Sequence, residues 1–224
     1  METIQLVAAY AIPVILAYLI GSVNSAIIVT KIIAGKDIRD YDSKNAGMTN
    51  VLRNFGKIPA LITLIGDFGK GILAVILGRL LFTFITGYEI DASQNIQIIA
   101  YLSAAFAIIG HIFPLYYNFK GGKGILTTAG ILVLLDPFVF LYAFSAFIVV
   151  LLISRYVSLS SISAAIACPI SVLLINIYQQ QSPQTTAFHT VFYFLTAILV
   201  IFMHRKNIKR LLKKEEPKIG KKVK

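Results

Sequence analysis

The chain has 224 residues, of which 57% are hydrophobic and 14% are charged, and its mean hydropathy is +0.79. One small core cannot bury so much apolar surface, so these values exclude an ordinary soluble domain and predict an all-α membrane protein. The formal net charge of +11 lies mainly beside apolar segments, where anionic lipid headgroups and phosphorylated substrates are better candidate partners than nucleic acid.

Seven apolar segments predict a polytopic bundle of transmembrane helices, because about 20 residues cross the hydrocarbon region. They are Leu6–Ile32, Ile58–Ile85, Ile96–Tyr116, Gly124–Leu135, Pro137–Ser154, Ser158–Tyr178 and Thr186–Met203. The fourth and fifth segments are also compatible with one long helix, but Asp136 followed by Pro137 is typical of an N-cap and a first helical position. The fourth segment is short for a bilayer, so we expect its N-terminus or the preceding turn to lie below the membrane surface.

The distribution of basic residues favours seven spans over six. With seven, the first loop contributes six Lys or Arg to one face, the second two, the third one and the tail ten, which is 19 of the 21. With six, this bias nearly disappears. The opposite loops, Thr86–Asn95 and Gln179–Thr185, contain neither residue type. We therefore predict an outside N-terminus, a transmembrane domain over residues 1–203 and a basic cytoplasmic segment over residues 204–224.

The first cytoplasmic loop is dense in hydroxyl and amide side chains, which hydrogen-bond phosphate or glycerol hydroxyls. The candidate residues are Ser43, Asn45, Thr49 and Asn50, followed by Arg53. An arginine binds a phosphate through two N–H groups at once, which a lysine cannot do. The alternative is that these residues form turns and cap a short helix at the end of the loop.

Asp67 and Lys70 lie three residues apart inside the second predicted span. Ionisable groups are costly in a membrane, and they usually pair with one another or line a cavity. A structural ion pair and a supporting role in a site are both consistent with this spacing.

A glycine- and lysine-rich turn directly follows the third apolar span, in the segment GHIFPLYYNFKGGKG that begins at Gly110. Glycines let backbone N–H groups approach a phosphate, the following helix N-terminus adds partial positive charge, and lysines add full charges. The predicted phosphate-binding residues are Lys120, Gly121, Gly122, Lys123 and Gly124. The alternative is that the lysines are topology signals. For His111, a capping or packing role is more common than a catalytic one.

Two later segments carry further candidates. Ser158 and Ser161 follow Arg155 in the third cytoplasmic turn; either residue contacts a ligand or caps the next helix, and we favour capping. After the last span, His204 and Asn207 are three residues apart and share a face of a predicted interfacial helix. A histidine there can orient or deprotonate a hydroxyl. We expect most basic residues of the tail to attract anionic lipid.

Taken together, four segments resemble, in order, the bacterial acyl-phosphate:glycerol-3-phosphate acyltransferase family. They are SKNAGMTNVLR, GHIFPLYYNFKGGKG, RYVSLSS and HRKNIKRLLKKEEPKIG. The resemblance implies transfer of a fatty acyl group from acyl phosphate to the 1-hydroxyl of glycerol 3-phosphate, giving lysophosphatidic acid and phosphate. It also implies a multi-pass protein of the bacterial cell membrane whose active site faces the cytoplasm.

The resemblance also implies roles for individual residues. Ser43 and Arg53 would serve catalysis, and the turn glycines would bind glycerol phosphate. His204 and Asn207 match the third motif of the family, and Glu216 matches its structural acid. Three positions depart from the family pattern: Lys44 and Lys214 stand where the family usually has glycine, and Met48 stands where it has alanine.

An acyl phosphate is a mixed anhydride with a good leaving group, so the enzyme chiefly needs to position its substrates and neutralise two phosphates. We therefore expect no covalent nucleophile, no cofactor and no metal, with His204 or the substrate's own phosphate accepting the hydroxyl proton. A soluble enzyme that produces acyl phosphate is a candidate partner.

Two other functions compete with this prediction. A transporter of an anion or phosphate ester would need ionisable residues through the membrane depth, and only Asp67, Lys70 and Arg79 qualify. A membrane scaffold would recruit partners through the basic tail.

Overall fold

The computed structural model describes residues 3–88 and 94–219, and every regular element within these ranges is helical. This confirms the predicted all-α class. The α-helices are α1 (Thr3–Ser22), α2 (Ser25–Ala34), α3 (Met48–Phe55), α4 (Lys57–Thr86), α5 (Gln94–Ile112), α6 (Ile125–Leu135), α7 (Pro137–Ser154), α8 (Val157–Tyr178), α9 (Pro183–Met203) and α10 (Arg205–Leu212).

Among the described residues, six helical segments are long and apolar enough to cross a membrane. They are Thr3–Ala34, Lys57–Thr86, Asn95–Tyr117, Pro137–Ser154, Val157–Tyr178 and Pro183–Met203. The fourth predicted span forms the 11-residue helix α6. At about 1.5 Å per residue, α6 covers roughly half of a hydrocarbon core about 30 Å thick.

The first predicted span is interrupted, whereas the sequence suggested one continuous helix. Helix α1 ends at Ser22, and α2 begins at Ser25 after Asn24, whose side-chain oxygen accepts a hydrogen bond from the backbone N–H of Ile27 at 3.1 Å. The polar Asn24 caps α2 inside an otherwise apolar run, which a hydropathy average over the whole run does not detect.

Glycines allow two helix pairs, α1 with α5 and α4 with α6, to pack closely. A side chain on Gly21 or Gly110 would collide with the backbone of the opposite helix, at Ala107 and Tyr18 respectively, so α1 and α5 meet through bare backbone. Helices α4 and α6 meet in the same way where Gly71 contacts the carbonyl of Thr127. Small residues permit such contacts between membrane helices, and here they fix the ends of α5 and α6 against α1 and α4.

The chain forms two compact units, residues 1–135 and residues 136–224. The first unit contains α1 to α6. The second contains α7 to α10, in which α8 packs against both α7 and α9. Asp136 occupies the N-cap position of α7 and Pro137 the first helical position, as predicted. The Asp136 carboxylate does not cap the helix, since it accepts a hydrogen bond from the Tyr193 hydroxyl instead.

Candidate active site

The first loop, between α2 and α3, folds around the side chain of Asn50. This buried amide donates hydrogen bonds to the carbonyls of Ile38, Tyr41 and Asn45, each at 3.1 Å. Asn50 therefore organises the loop, which agrees with the turn-forming alternative for this residue. Helix α3 follows as the expected short helix, with Gly47 at its N-cap position.

The other candidates of this loop remain closer to its surface. Ser43, Asn45 and Thr49 are half-buried, and Arg53 lies on α3 with an intermediate exposure. In this loop, Asn50 is therefore the buried structural residue, and the other polar candidates lie near the surface.

The glycine-rich turn folds back onto the end of α5. The Gly121 N–H donates to the carbonyl of Ile112, and the Gly122 N–H donates to the carbonyl of His111, both at 3.1 Å. These carbonyls are among the last of α5, which have no partner within the helix. Two of the N–H groups predicted to face a phosphate therefore have acceptors in the protein, and phosphate binding by them stays a prediction.

Gly122 is the point where three segments of the first unit meet. A Cβ atom there would overlap the imidazole ring of His111 and the carbonyl oxygen of Ala46 in the first loop. The first loop, the end of α5 and the turn are thereby brought into contact. Gly124 has a φ of +84°, which favours glycine, and α6 begins at the next residue.

A buried ion pair lies next to this junction. Asp67 is 1% exposed and Lys70 is 6% exposed, and the carboxylate and ammonium groups are 3.0 Å apart. The same carboxylate oxygen accepts from the backbone N–H of Ser25 at 3.3 Å and lies 3.7 Å from Nδ1 of His111, while Lys70 donates to the Val23 carbonyl at 2.7 Å. These contacts support the structural ion-pair interpretation, because both charges have partners in the protein.

In the second unit, the buried carboxylate of Glu216 gathers three donors. Oε1 accepts from Ser158 at 2.6 Å and from Asn207 at 2.7 Å, and Oε2 accepts from Nε of Arg210 at 2.6 Å. Burial opposes ionisation of Glu216, but these hydrogen bonds and the charge of Arg210 outweigh it and lower the pKa of the carboxyl group. The arrangement supports the structural role implied for Glu216.

The favoured capping role of Ser158 is wrong. Helix α8 begins at Val157, with Tyr156 at the N-cap position and no side-chain cap, so Ser158 already lies within the helix. Its hydroxyl donates to Glu216, a residue 58 positions later in the chain. The sequence predicted no role for Arg210. Its position six residues before Glu216, with a predicted helix end between them, was a signal for this contact.

His204, at the N-cap position of α10, and Asn207, inside α10, are both buried. Nδ1 of His204 lies 2.8 Å from the carbonyl oxygen of Val200. A carbonyl only accepts, so Nδ1 carries the proton, and a neutral ring then has its lone pair on Nε2. A general base requires that form.

Lys44 and Lys214, where the sequence resemblance implies glycine, both have left-handed backbone conformations, with φ of +55° and +58° respectively. Lys214 follows the last residues of α10, where its N–H donates to the Leu211 carbonyl and the N–H of Glu215 donates to the Arg210 carbonyl. This is the Schellman pattern, in which glycine is usual at the left-handed position. It reverses the chain and returns Glu216 to α8 and α10.

Comparison with known proteins identifies close relatives over nearly the whole chain. Residues 11–214 match a family model described as Glycerol-3-phosphate acyltransferase. The glycerol-3-phosphate acyltransferase of Francisella tularensis subsp. tularensis (strain SCHU S4 / Schu 4) is 40% identical over 210 residues, covering 94% of this chain and 93% of the relative. That of Clostridioides difficile (strain 630) is 38% identical over 214 residues, covering 96% and 97%.

Solved structures with a similar fold include the crystal structure of PlsY (YgiH), an integral membrane glycerol 3-phosphate acyltransferase, in its glycerol 3-phosphate form. It has a TM-score of 0.76 and 30% sequence identity, covering 93% of this chain and 94% of that chain. The lysophosphatidic acid form has a TM-score of 0.72 and 29% identity over the same shares.

We expect Lys44→Gly and Lys214→Gly each to stabilise the protein by about 0.5–1 kcal/mol. A left-handed conformation costs a residue with a Cβ roughly 1–2 kcal/mol, and the greater freedom of an unfolded glycine offsets part of that gain. Equilibrium unfolding in detergent measures the effect. Lys209→Gly, inside α10, is the matched control and should destabilise by about 1 kcal/mol. Destabilisation by all three replacements would show that the left-handed lysines are not strained.

We expect Glu216→Gln to lower the free energy of unfolding by about 1–3 kcal/mol at neutral pH, because an amide nitrogen cannot accept from the donors that face the carboxylate. The folded-state pKa of Glu216 lies below its ordinary 4.5, so its stabilisation is complete above that pH and is lost as the pH falls through the lowered value. Unfolding measured against pH should therefore show a smaller acid-induced loss in Glu216→Gln than in the wild type. Glu215→Gln, which alters an exposed neighbour, should behave like the wild type.

Proposed function

This chain belongs to the glycerol-3-phosphate acyltransferase family, and we propose that it takes its acyl group from an acyl phosphate. The reaction acylates glycerol 3-phosphate and yields lysophosphatidic acid, the two compounds named for the crystal forms of the similar PlsY structures. The acyl-phosphate donor rests on the sequence resemblance. The structural observation that carries the proposal is the contact at Gly122, which brings the first loop against the lysine-containing turn.

The proposed phosphate site lies in the first unit and uses charges more than glycine amides. Because the N–H groups of Gly121 and Gly122 donate to α5, we assign the attraction of phosphate to Lys120, Lys123 and Arg53, together with the first turn of α6. The turn glycines then act by permitting close packing. Ser43, Asn45 and Thr49 border the same loop surface and are proposed to hydrogen-bond the substrates.

In the proposed reaction, the 1-hydroxyl oxygen of glycerol 3-phosphate attacks the acyl carbon of the acyl phosphate. An ester C–O bond forms, the bond from the acyl carbon to the phosphate oxygen breaks, and phosphate leaves with the bonding electrons. The hydroxyl proton passes to the substrate's own phosphate or to His204, whose neutral tautomer has an acceptor nitrogen. Cationic groups that neutralise the two phosphates stabilise the charge that develops on the leaving group.

We also propose the finer topology that the charge distribution favours. Helix α6 is then the fourth of seven spans of the domain over residues 1–203, the N-terminus lies outside, and the active site and the segment 204–224 face the cytoplasm of a bacterial cell. The bias of basic residues supports this orientation. The exposed Arg205, Lys206 and Lys209 of α10 offer a basic surface to anionic lipid or to a soluble enzyme that supplies acyl phosphate.

The donor is tested by giving the purified protein palmitoyl phosphate and glycerol 3-phosphate and measuring phosphate release and lysophosphatidic acid formation. We expect turnover with palmitoyl phosphate and none with palmitoyl-CoA. Lys123→Ala and Arg53→Ala should each reduce kcat/KM by about 100-fold, because each removes a charge from the phosphate site. The exposed Lys57 provides the matched control, and Lys57→Ala should retain activity.

Turnover with palmitoyl-CoA alone would refute the proposed donor. In the same assay, a large loss of kcat in folded His204→Ala identifies the histidine as the proton acceptor, whereas full activity assigns that role to the substrate's phosphate.

We expect Gly122→Ala to reduce kcat/KM by roughly 10- to 100-fold, because the added methyl group must displace His111 or the first loop. Gly69→Ala is the matched control: Gly69 lies in α4, a Cβ there meets open space, and activity should be unchanged. Equal activity of the two variants would show that the contact at Gly122 does not shape the site.

A further inference from the structure

We propose that Arg39, fixed by Asp37, is a positioning residue that holds the turn carrying Lys120 in its working shape. The inference rests on the proposed function, since it concerns the same phosphate site. Asp37 and Arg39 lie outside the motif SKNAGMTNVLR of the first loop, and both precede it in the chain.

Asp37 binds one edge of the Arg39 guanidinium. Oδ1 of Asp37 accepts from Nε at 3.0 Å and from the backbone N–H of Arg39 at 3.0 Å, and Oδ2 accepts from Nη2 at 2.8 Å. This two-pronged contact fixes the plane of the guanidinium. The hydrogen bonds from Arg39 lower the pKa of Asp37, and those to Asp37 raise the pKa of Arg39, so both groups stay charged at neutral pH.

The remaining nitrogen of Arg39 reaches the turn, about 80 residues later in the chain. Nη1 donates to the carbonyl of Tyr117 at 2.9 Å and to the carbonyl of Lys120 at 3.2 Å. The guanidinium carbon also lies 5.8 Å from the centre of the Tyr117 ring, within the range of a cation–π contact. One side chain thus bridges both ends of the segment from Tyr117 to Lys120.

The segment between these two carbonyls is strained. Asn118 and Phe119 have consecutive left-handed conformations, with φ of +55° and +57°. A bulky side chain such as that of Phe119 rarely adopts this conformation, and such strain persists only where the surroundings impose it. Within the turn, the N–H groups of Phe119 and Lys120 donate to the carbonyls of Pro114 and Tyr117. Arg39 adds the bonds that tie this turn to the first loop.

Arg39 acts through the turn and does not need to touch substrate. Four of its five guanidinium N–H groups are assigned to Asp37, Tyr117 and Lys120. Because the Lys120 carbonyl is one of the anchored groups, the backbone of Lys120 and the adjoining Gly121 is fixed with it. Releasing the clamp lets the turn relax and moves the lysine charges away from the phosphate.

The test compares Arg39→Ala, Arg39→Lys and Asp37→Asn with Lys36→Ala, a neighbouring exposed cation that serves as the charge control. We expect Arg39→Ala to raise KM for glycerol 3-phosphate about tenfold or more, with a smaller rise in Asp37→Asn. Lysine retains one charge but cannot bridge an aspartate and two carbonyls, so Arg39→Lys should rescue only part of the loss. Lys36→Ala should differ from the wild type by less than about twofold, because it removes the same charge and leaves the clamp intact.

Amide hydrogen exchange of residues 115–122 gives a second readout that does not depend on turnover. We expect faster exchange in Arg39→Ala than in Lys36→Ala, confined to the turn. Adding Asn118→Gly and Phe119→Gly to Arg39→Ala should recover activity, because glycine adopts the left-handed conformation without strain.

Unchanged exchange of the turn in Arg39→Ala, or kinetics equal to those of Lys36→Ala, would overturn the inference. Failure of the two glycines to recover any activity would mean that Arg39 acts on substrate directly, which also overturns it. If the wild type shows no turnover with palmitoyl phosphate, the proposed donor fails, while the exchange comparison still decides whether Arg39 holds the turn.

Discussion

The membrane interior offers no water to a polar group, so polar groups there need partners within the protein. In the first unit, the buried pair of Asp67 and Lys70 supplies such partners. The break between α1 and α2 lies inside a segment that is long and apolar enough to cross a membrane, and it frees backbone groups there. Lys70 satisfies the Val23 carbonyl, Asp67 accepts from the Ser25 N–H, and the two charges neutralise each other. Loss of either side chain would leave both an uncompensated charge and an unpaired backbone group, a combination that costs several kcal/mol in a low dielectric.

The same constraint explains why the turn after α5 is glycine-rich. The last carbonyls of a helix need donors, and the N–H groups of Gly121 and Gly122 supply them to Ile112 and His111. That return of the chain brings its backbone against the His111 ring and the Ala46 carbonyl, where a Cβ has no space. A pattern that suggests phosphate contacts therefore has a packing cause as well. In the proposed site, the attraction of an anion is therefore assigned to the charged side chains and the start of α6 and not to these two amide groups.

The features that the sequence predicted are those that depend on local periodicity and charge. Helix α3, helix α10 and the boundary at Asp136 and Pro137 follow from patterns a few residues long. The features that it did not predict depend on partners far apart in the chain. The sequence around Ser158 predicts a helix cap, and only the folded structure shows that its hydroxyl donates to Glu216. Likewise, no neighbouring residue in the sequence indicates that Arg39 binds the carbonyls of Tyr117 and Lys120. Long-range polar contacts leave no periodic signal, because a single pair of residues has no repeat.

Lys44 and Lys214 illustrate how a residue with a side chain is tolerated at a left-handed position that favours glycine. Glycine is favoured at a positive φ because it lacks a Cβ, so Lys44 and Lys214 each carry a backbone cost of roughly 1–2 kcal/mol. Local bonds hold both conformations, since the N–H of Lys44 donates to Tyr41 at 2.8 Å and that of Lys214 to Leu211 at 3.0 Å. Both side chains are exposed, so neither ammonium group loses its hydration. The backbone shape needed for the turn is kept in each case, and the replacement changes the local charge more than it changes the fold.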